Sequence, residues 1–260
     1  MKSTTKHFSF VILGIMLGGV MLISCKPKNQ TQPLVTEPVA KDTISEESEI
    51  SPEAAQAGFC RIKDSIPDIV IDMRYYGTHN FVGRRIDGYE APVPMLTKEA
   101  TSALRKVADE LRSKGYRLKI YDAYRPQCAV DHFLRWAQDP ADTLMKSEFY
   151  PDIDKPDIFR RGFVARKSSH TRGSAVDMTI VHAKTGEDVN MGGTFDFFGN
   201  ISHVDYEGIT AEQHQNRMFL REVMIKYGFM PIRGEWWHFM LINEPYPDTY
   251  FDFKVVSSKQ

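Results

Sequence analysis

Apolar and polar positions follow two distinct rhythms along this chain. From Thr97 to Lys114, Leu104, Val107, Ala108 and Leu111 recur in steps of three and four, so the spacing predicts a helix with one buried stripe. Thr97 suits its N-terminal cap and Gly115 its stop. Tyr116 to Tyr121 then switches to a period of two, with Leu118 and Ile120 on one face, and this predicts a strand. A second helix is expected where Val130, Phe133, Leu134 and Ala137 return to helical spacing. A third follows Thr210 and Gln213, which have the spacing of a capping box. Its stripe is Leu220, Val223, Met224 and Tyr227, before Gly228. Residues 175–181 and 236–241 are two further strand candidates.

Helices and strands are intermixed without regular strand–helix–strand repetition, and no glycine-rich phosphate loop follows a strand. The expected class is α+β, with helices packed on a small, mainly antiparallel sheet.

The first residues follow a different rule. Lys2 and Lys6 precede an apolar run from Phe8 to Ile23, which ends in Leu22-Ile23-Ser24-Cys25. A basic start and a short apolar region read as an export signal, since a membrane span needs about 20 residues. The ending resembles a bacterial lipobox, in which Cys25 becomes the lipidated first residue. Read instead as an uncleaved anchor helix, the segment still places the body outside the cytoplasm. The expectation is therefore an exported lipoprotein, held to a membrane by its lipid and facing the periplasm or cell exterior. Residues 26–57 are rich in Thr, Ser, Pro, Glu and Lys and read as a flexible tether. That leaves 58–260 as one domain of roughly 200 residues, long enough for a well-buried core.

Charge narrows the partners. Lys plus Arg number 33 against 34 for Asp plus Glu, so nothing favours phosphate, and no nucleic-acid partner is expected. Beyond Cys25, only Cys60 and Cys128 remain. An oxidising compartment permits their pairing, but sequence cannot say whether their Cα atoms approach. Neither belongs to a Cys-x-x-Cys pair, so a thiolate zinc site is unsupported.

Two segments carry candidate chemistry. In the first, His170 precedes the predicted strand across a turn that Gly173 eases, and Asp177 lies within it. Val176, Met178 and Ile180 share one face, leaving Asp177 on the other. A His nitrogen and a carboxylate converging from a turn and a strand suit a borderline cation such as Zn²⁺. The same two residues also occur as ordinary structural groups, and the spacing alone does not choose. The second segment is Gly234-Glu235-Trp236-Trp237-His238-Phe239. In a regular strand Glu235 and His238 face opposite sides. They converge if Glu235 lies on a preceding turn or at a bulge. A core His beside an exposed Glu is the other reading.

Together these residues resemble the zinc D,D-peptidases of the VanX-type D-alanyl-D-alanine dipeptidase family. The pattern S-x-H-x-x-G-x-A-x-D is met by Ser168, His170, Gly173, Ala175 and Asp177, and E-x-x-H by Glu235 and His238. The likeness runs from Ile71-Asp72-Met73-Arg74-Tyr75 and Asn80-Phe81, through Tyr121-Asp122-Ala123-Tyr124-Arg125-Pro126, to Trp237-His238. It implies one zinc ion per chain on His170, Asp177 and His238, carried by the sheet, with the fourth position open for water. It also implies Glu235 as general base and Arg125 as the group that stabilises the oxyanion. Asp196, in Met191-Gly192-Gly193-Thr194-Phe195-Asp196, matches the residue that holds the substrate's ammonium, and Ser168 a residue that hydrogen-bonds the substrate.

The implied activity is hydrolysis of D-alanyl-D-alanine and similar small D-dipeptides to free D-Ala. The cytoplasmic dipeptide pool is out of an exported enzyme's reach, so wall turnover or scavenging is the expected setting. A D,D-carboxypeptidase or endopeptidase on peptidoglycan stem peptides is the rival with the same metal site. A non-catalytic wall-binding domain is the rival from another class, and Glu235 argues against it, because binding zinc does not require a base. No His-Glu-x-x-His pentapeptide occurs.

Overall fold

The computed structural model describes residues 50–257. The signal segment 1–25 with Cys25, and the tether up to residue 49, lie outside the described residues. The described chain opens with α1 (Pro52–Gln56), β1 (Phe59–Arg61), α2 (Ile62–Ser65) and β2 (Val70–Ile71). Then come β3 (Met95–Thr97), α3 (Lys98–Ser113), β4 (Tyr116–Asp122) and α4 (Gln127–Gln138). They are followed by α5 (Lys146–Phe149), α6 (Lys155–Arg160), β5 (Ala175–His182), α7 (Ala211–Lys226), β6 (Phe229–Pro231) and β7 (His238–Leu241).

The fold is α+β. Its main sheet has five strands in the order β2-β4-β5-β7-β6. β2 runs parallel to β4, and every other neighbouring pair is antiparallel. β1 and β3 form a separate antiparallel pair.

The periodic segments form as their sequences require. Thr97 Oγ1 accepts from the Ala100 N–H at 3.4 Å and starts α3, whose stripe of Leu104, Val107, Ala108 and Leu111 is buried. At α7, Gln213 N–H donates to Thr210 Oγ1 and Thr210 N–H to Gln213 Oε1, at 3.2 and 2.9 Å, completing the capping box. Val176, Met178 and Ile180 of β5 join the α3 and α7 stripes in one buried cluster, which leaves Asp177 on the face that becomes the site. The second helix departs in detail. Ala129, Val130, Phe133 and Trp136 of α4 are buried, while Leu134 and Ala137 are only half-buried, so the stripe is rotated from the expected one.

One further expectation is corrected, and one open question closes. Residues 52–56, placed in the tether by their composition, form α1: Ser51 Oγ accepts from Ala54 N–H at 3.2 Å and Ala54 is fully buried. Ile50 and Ala57 also pack against the core, so tertiary contacts order a segment with little intrinsic drive to fold. Cys60 and Cys128 are free thiols. Cys60 Sγ donates to Thr101 Oγ1 at 3.3 Å, whereas Cys128 lies in α4, so no disulfide joins them.

One irregularity of the sheet aims a side chain. Ile120 pairs with Met178, but Asp122 pairs with Asp177, so Tyr121 is an extra residue on β4. Such a bulge re-aims the side chains beyond it. It brings Asp122 to the same side as Asp177 instead of the apolar face that it would share with Ile120 in a regular strand.

Candidate active site

β5 and β7 bring two candidate ligands together by register, because Asp177 and His238 are cross-strand partners. His170 arrives from a 3-10 turn, Ser169–Arg172, closed by Gly173 at φ 80. This is where glycine is needed, since a Cβ there would lie 2.2 Å from the Phe59 ring. All three side chains are buried: His170 is 2% exposed, Asp177 2% and His238 7%.

Their donor atoms face one another. His170 Nε2 lies 3.1 Å from His238 Nδ1 and 3.2 Å from Asp177 Oδ2, and His238 Nδ1 lies 3.0 Å from Asp177 Oδ1. Tetrahedral bonds of about 2.0–2.1 Å place ligand atoms roughly 3.3 Å apart, so these separations fit a common cation. The outer nitrogens are also engaged. His170 Nδ1 donates to the Ala123 carbonyl at 2.7 Å, which leaves Nε2 with its lone pair toward the cluster, and Ser169 Oγ lies 3.3 Å from His238 Nε2. Two imidazoles and a carboxylate are a donor set suited to a divalent metal of zinc type.

Glu235 lies on the turn before β7, where the His238 N–H donates to the Glu235 carbonyl at 3.3 Å. That turn resolves the facing problem of a regular strand: Glu235 Oε2 comes within 3.9 Å of His238 Nδ1. Its side chain is 35% exposed and lines the cleft. Crowding by its surroundings raises its carboxyl above the ordinary range and Asp177 adds to this, while His238 opposes it. A carboxylate so placed is able to take up a proton.

Arg125 follows the bulged end of β4. Its Nε and Nη2 donate to Asp122 Oδ2 at 2.9 and 2.8 Å, and Nη2 stands 3.5 Å from Asp177 Oδ2. The rings of Tyr75 and Phe133 flank the guanidinium at 5.0 and 5.3 Å. Asp122 is fully buried and also accepts from Tyr89 Oη at 2.6 Å. Arg125 is therefore held rigidly beside the cluster with its charge matched.

Asp196 is 8% exposed and is the non-glycine residue with positive φ, 61°, among those described. Such backbone costs about 1–3 kcal/mol and gathers at functional sites. Tyr75 Oη donates to Asp196 Oδ2 at 2.8 Å, and no cationic side chain of a described residue lies within ion-pair distance. Burial lifts its carboxyl well above the usual range and Asp177 adds to this, against the Tyr75 hydrogen bond. A cation brought into the cleft would complete it. Ser168 Oγ accepts from the His170 N–H at 3.3 Å, which leaves its hydroxyl hydrogen available to another acceptor.

These groups line one cleft of about 360 Å³, a size suited to a small molecule. Every site residue expected from the sequence within the described chain lies on it: Arg125, Ser168, His170, Asp177, Asp196, Glu235 and His238. Sequence reasoning missed Tyr75, Tyr89, Asp122 and Ser169 as members of the site. The segments containing Tyr75 and Asp122 carried the family likeness, but no local rule gives those residues a task. His79, His132, His182, His203 and His214 stand off the cleft. His79 meets Glu148 and His132 meets Asp87.

The family model and the sequence relatives agree with one another. A family model described as D-ala-D-ala dipeptidase, Peptidase_M15, matches residues 55–256. The chain is 44% identical over 198 residues to a protein named D-alanyl-D-alanine dipeptidase from Enterococcus faecalis, covering 76% of this chain and 98% of that one. A protein of the same name from Enterococcus faecium is 41% identical over 200 residues, covering 77% and 99%. Another from Streptomyces coelicolor is 41% identical over 197 residues, covering 76% and 98%.

Proposed function

This chain belongs to the peptidase M15 family of D-ala-D-ala dipeptidases, and from that premise we propose that it hydrolyses D-alanyl-D-alanine and similar small D-dipeptides with one zinc ion per chain. It is a metal-dependent hydrolase. The observation that carries the reading is the buried triangle of His170 Nε2, Asp177 and His238 Nδ1, with sides of 3.0 to 3.2 Å, beside Glu235.

His170, Asp177 and His238 would hold the ion. When bound, zinc supplies Lewis acidity toward a carbonyl oxygen and a lowered pKa for water. The remaining work falls to the chain's own side chains. Glu235 takes a proton from the attacking water as its oxygen bonds the scissile carbonyl carbon. The C–N bond then breaks, and Glu235 delivers that proton to the leaving amine. General base and acid work of this kind contributes typically about 10²–10⁴-fold. Arg125, fixed by Asp122, directs positive charge to where the carbonyl oxygen becomes negative. Asp196, oriented by Tyr75, pairs with the substrate's free ammonium, and Ser168 donates its hydroxyl to the substrate.

Asp196, buried and without a cation among the described residues, favours a dipeptidase over a carboxypeptidase on stem peptides, because a longer peptide has an amide nitrogen where the dipeptide carries its ammonium. Export as a lipoprotein through Cys25, membrane attachment, and a role in wall turnover or scavenging belong to the same proposal, supported by the pattern of residues 1–25. Among the described residues no helix is long and apolar enough to cross a membrane. The deciding experiment is metal analysis of the purified domain with amine-release assays on D-Ala-D-Ala, L-Ala-L-Ala and an N-acetylated stem peptide. Selective cleavage of the free D-dipeptide is expected. Equal cleavage of the blocked stem peptide would establish the carboxypeptidase instead.

A further inference from the structure

Matching the charges of the cleft pair by pair leaves one cation over. Arg125 is taken by Asp122. Arg172, on the turn that carries His170, is taken by Glu244: its Nε lies 2.9 and 3.0 Å from the two carboxylate oxygens. Asp177 faces the two histidines. Lys167 also lines the cleft, and no carboxylate of a described residue lies within ion-pair distance of it. Its ammonium rests 4.8 Å from the centroid of the Tyr250 ring, and Arg172 stands 5.8 Å from the same ring. The aromatic face steadies the lysine without neutralising it.

Apart from the proton-accepting Glu235, the cleft then holds one unmatched acid, Asp196, and one unmatched base, Lys167. They have different neighbours. Asp196 is bonded to Tyr75, whereas Lys167 shares Tyr250 with Arg172. A free dipeptide at neutral pH is the complementary object, carrying one ammonium and one carboxylate with the scissile bond between them.

We propose that Lys167 is the specificity-determining residue for the carboxylate end of the substrate. This rests on the dipeptidase reading given above and adds a second terminus to it. Lys167 follows directly on from Arg166 and precedes Ser168, Ser169 and His170. Lys167 thus lies three residues before His170, on the segment that leads into the 3-10 turn, and lines the same cleft. An exposed, ring-supported ammonium reaches a carboxylate without the desolvation cost of a buried one, and it acts more on binding than on turnover.

The test compares D-alanyl-D-alanine with D-alanyl-D-alaninamide, which keeps the ammonium and the scissile bond but lacks the carboxylate. In the zinc-loaded protein, Lys167→Met should lower kcat/KM for the acid by about 5–15-fold, mainly through KM, and leave the amide nearly unchanged. Lys167→Arg should recover most of the loss. Asp196→Asn should instead weaken both substrates equally, since both carry the ammonium. Equal effects of Lys167→Met on acid and amide, or no effect on either, overturn the assignment while leaving the dipeptidase reading intact. If the wild type cleaves neither compound, the dipeptidase reading falls and this proposal with it.

Discussion

Asp177 and His238 are cross-strand partners of β5 and β7, and Asp177 Oδ1 lies 3.0 Å from His238 Nδ1. Strand register, rather than a flexible loop, thus sets the distance between two ligands, and the turn at Gly173 adds the third. Asp177 holds His238 above its ordinary pKa despite burial, and carboxylate and imidazole are matched within the site.

Metal removal is the first consequence of that arrangement. The cluster is internally hydrogen-bonded, so removing metal should leave the fold in place and lower its stability only by the lost binding energy. At 1,000 times the dissociation constant a bound ion contributes about 4 kcal/mol. For a domain of this size, that is a fall in Tm of roughly 8–16 °C. Chelated protein should keep its far-ultraviolet circular dichroism, lose activity, and regain it with one equivalent of zinc. His238→Ala should lose most bound metal. Stoichiometric zinc in that variant, measured by elemental analysis, would refute the ligand set.

Glu235 separates base from ligand. Glu235→Gln retains shape and removes basicity, so it should bind metal normally and lose at least about 10²-fold in kcat. A rate near that of the wild type would assign the base to another group.

Asp122 tests whether Arg125 must be held. Asp122→Asn keeps an acceptor for Tyr89 but removes the charge that grips Nε and Nη2. Metal content should be unchanged, while kcat falls roughly 10–10²-fold as the guanidinium shifts. Unchanged turnover would make the pair a structural one.

How much of this was legible in the sequence depends on the separation of the partners. The α3 and α7 stripes and the two ligand segments announce themselves because periodicity and short motifs are local. Tyr89 meets Asp122 across 33 residues and Tyr75 meets Asp196 across 121, and no local rule assigns either pair. The bulge at Tyr121 is equally hidden, since its cause is the pairing with β5. Residues 52–56 look like tether by composition because their order comes from burying Ala54 in the core of the fold.

That last misreading has a measurable consequence. A protein beginning at Gly58 lacks α1 and the packing of Ile50 and Ala54, and should be less stable than one beginning at residue 46 by about 1–3 kcal/mol. Its kcat on D-Ala-D-Ala should be unchanged, because among the described residues no cleft residue precedes Tyr75. Thermal melts of the two proteins give the difference, and equal stability would return α1 to the tether.

The dipeptide reading is tested most directly at Asp196. Its carboxylate is buried, hydrogen-bonded by Tyr75 and without a cation among the described residues, on a backbone with φ 61°. A charge-assisted contact to the substrate's ammonium there should contribute about 1.5–3 kcal/mol. Asp196→Asn should then lower kcat/KM for D-Ala-D-Ala by roughly 10–150-fold. Asn tolerates the left-handed backbone at least as well as Asp and accepts from Tyr75, so the fold should survive. The loss on an N-acetylated analogue should be far smaller, because that compound has no ammonium to lose, and metal content should stay constant. Equal losses on both substrates would instead make Asp196 a support for the loop. A blocked stem peptide cleaved by the wild type as fast as the free dipeptide would remove the reason for a buried carboxylate at that position, and the carboxypeptidase reading would replace this one.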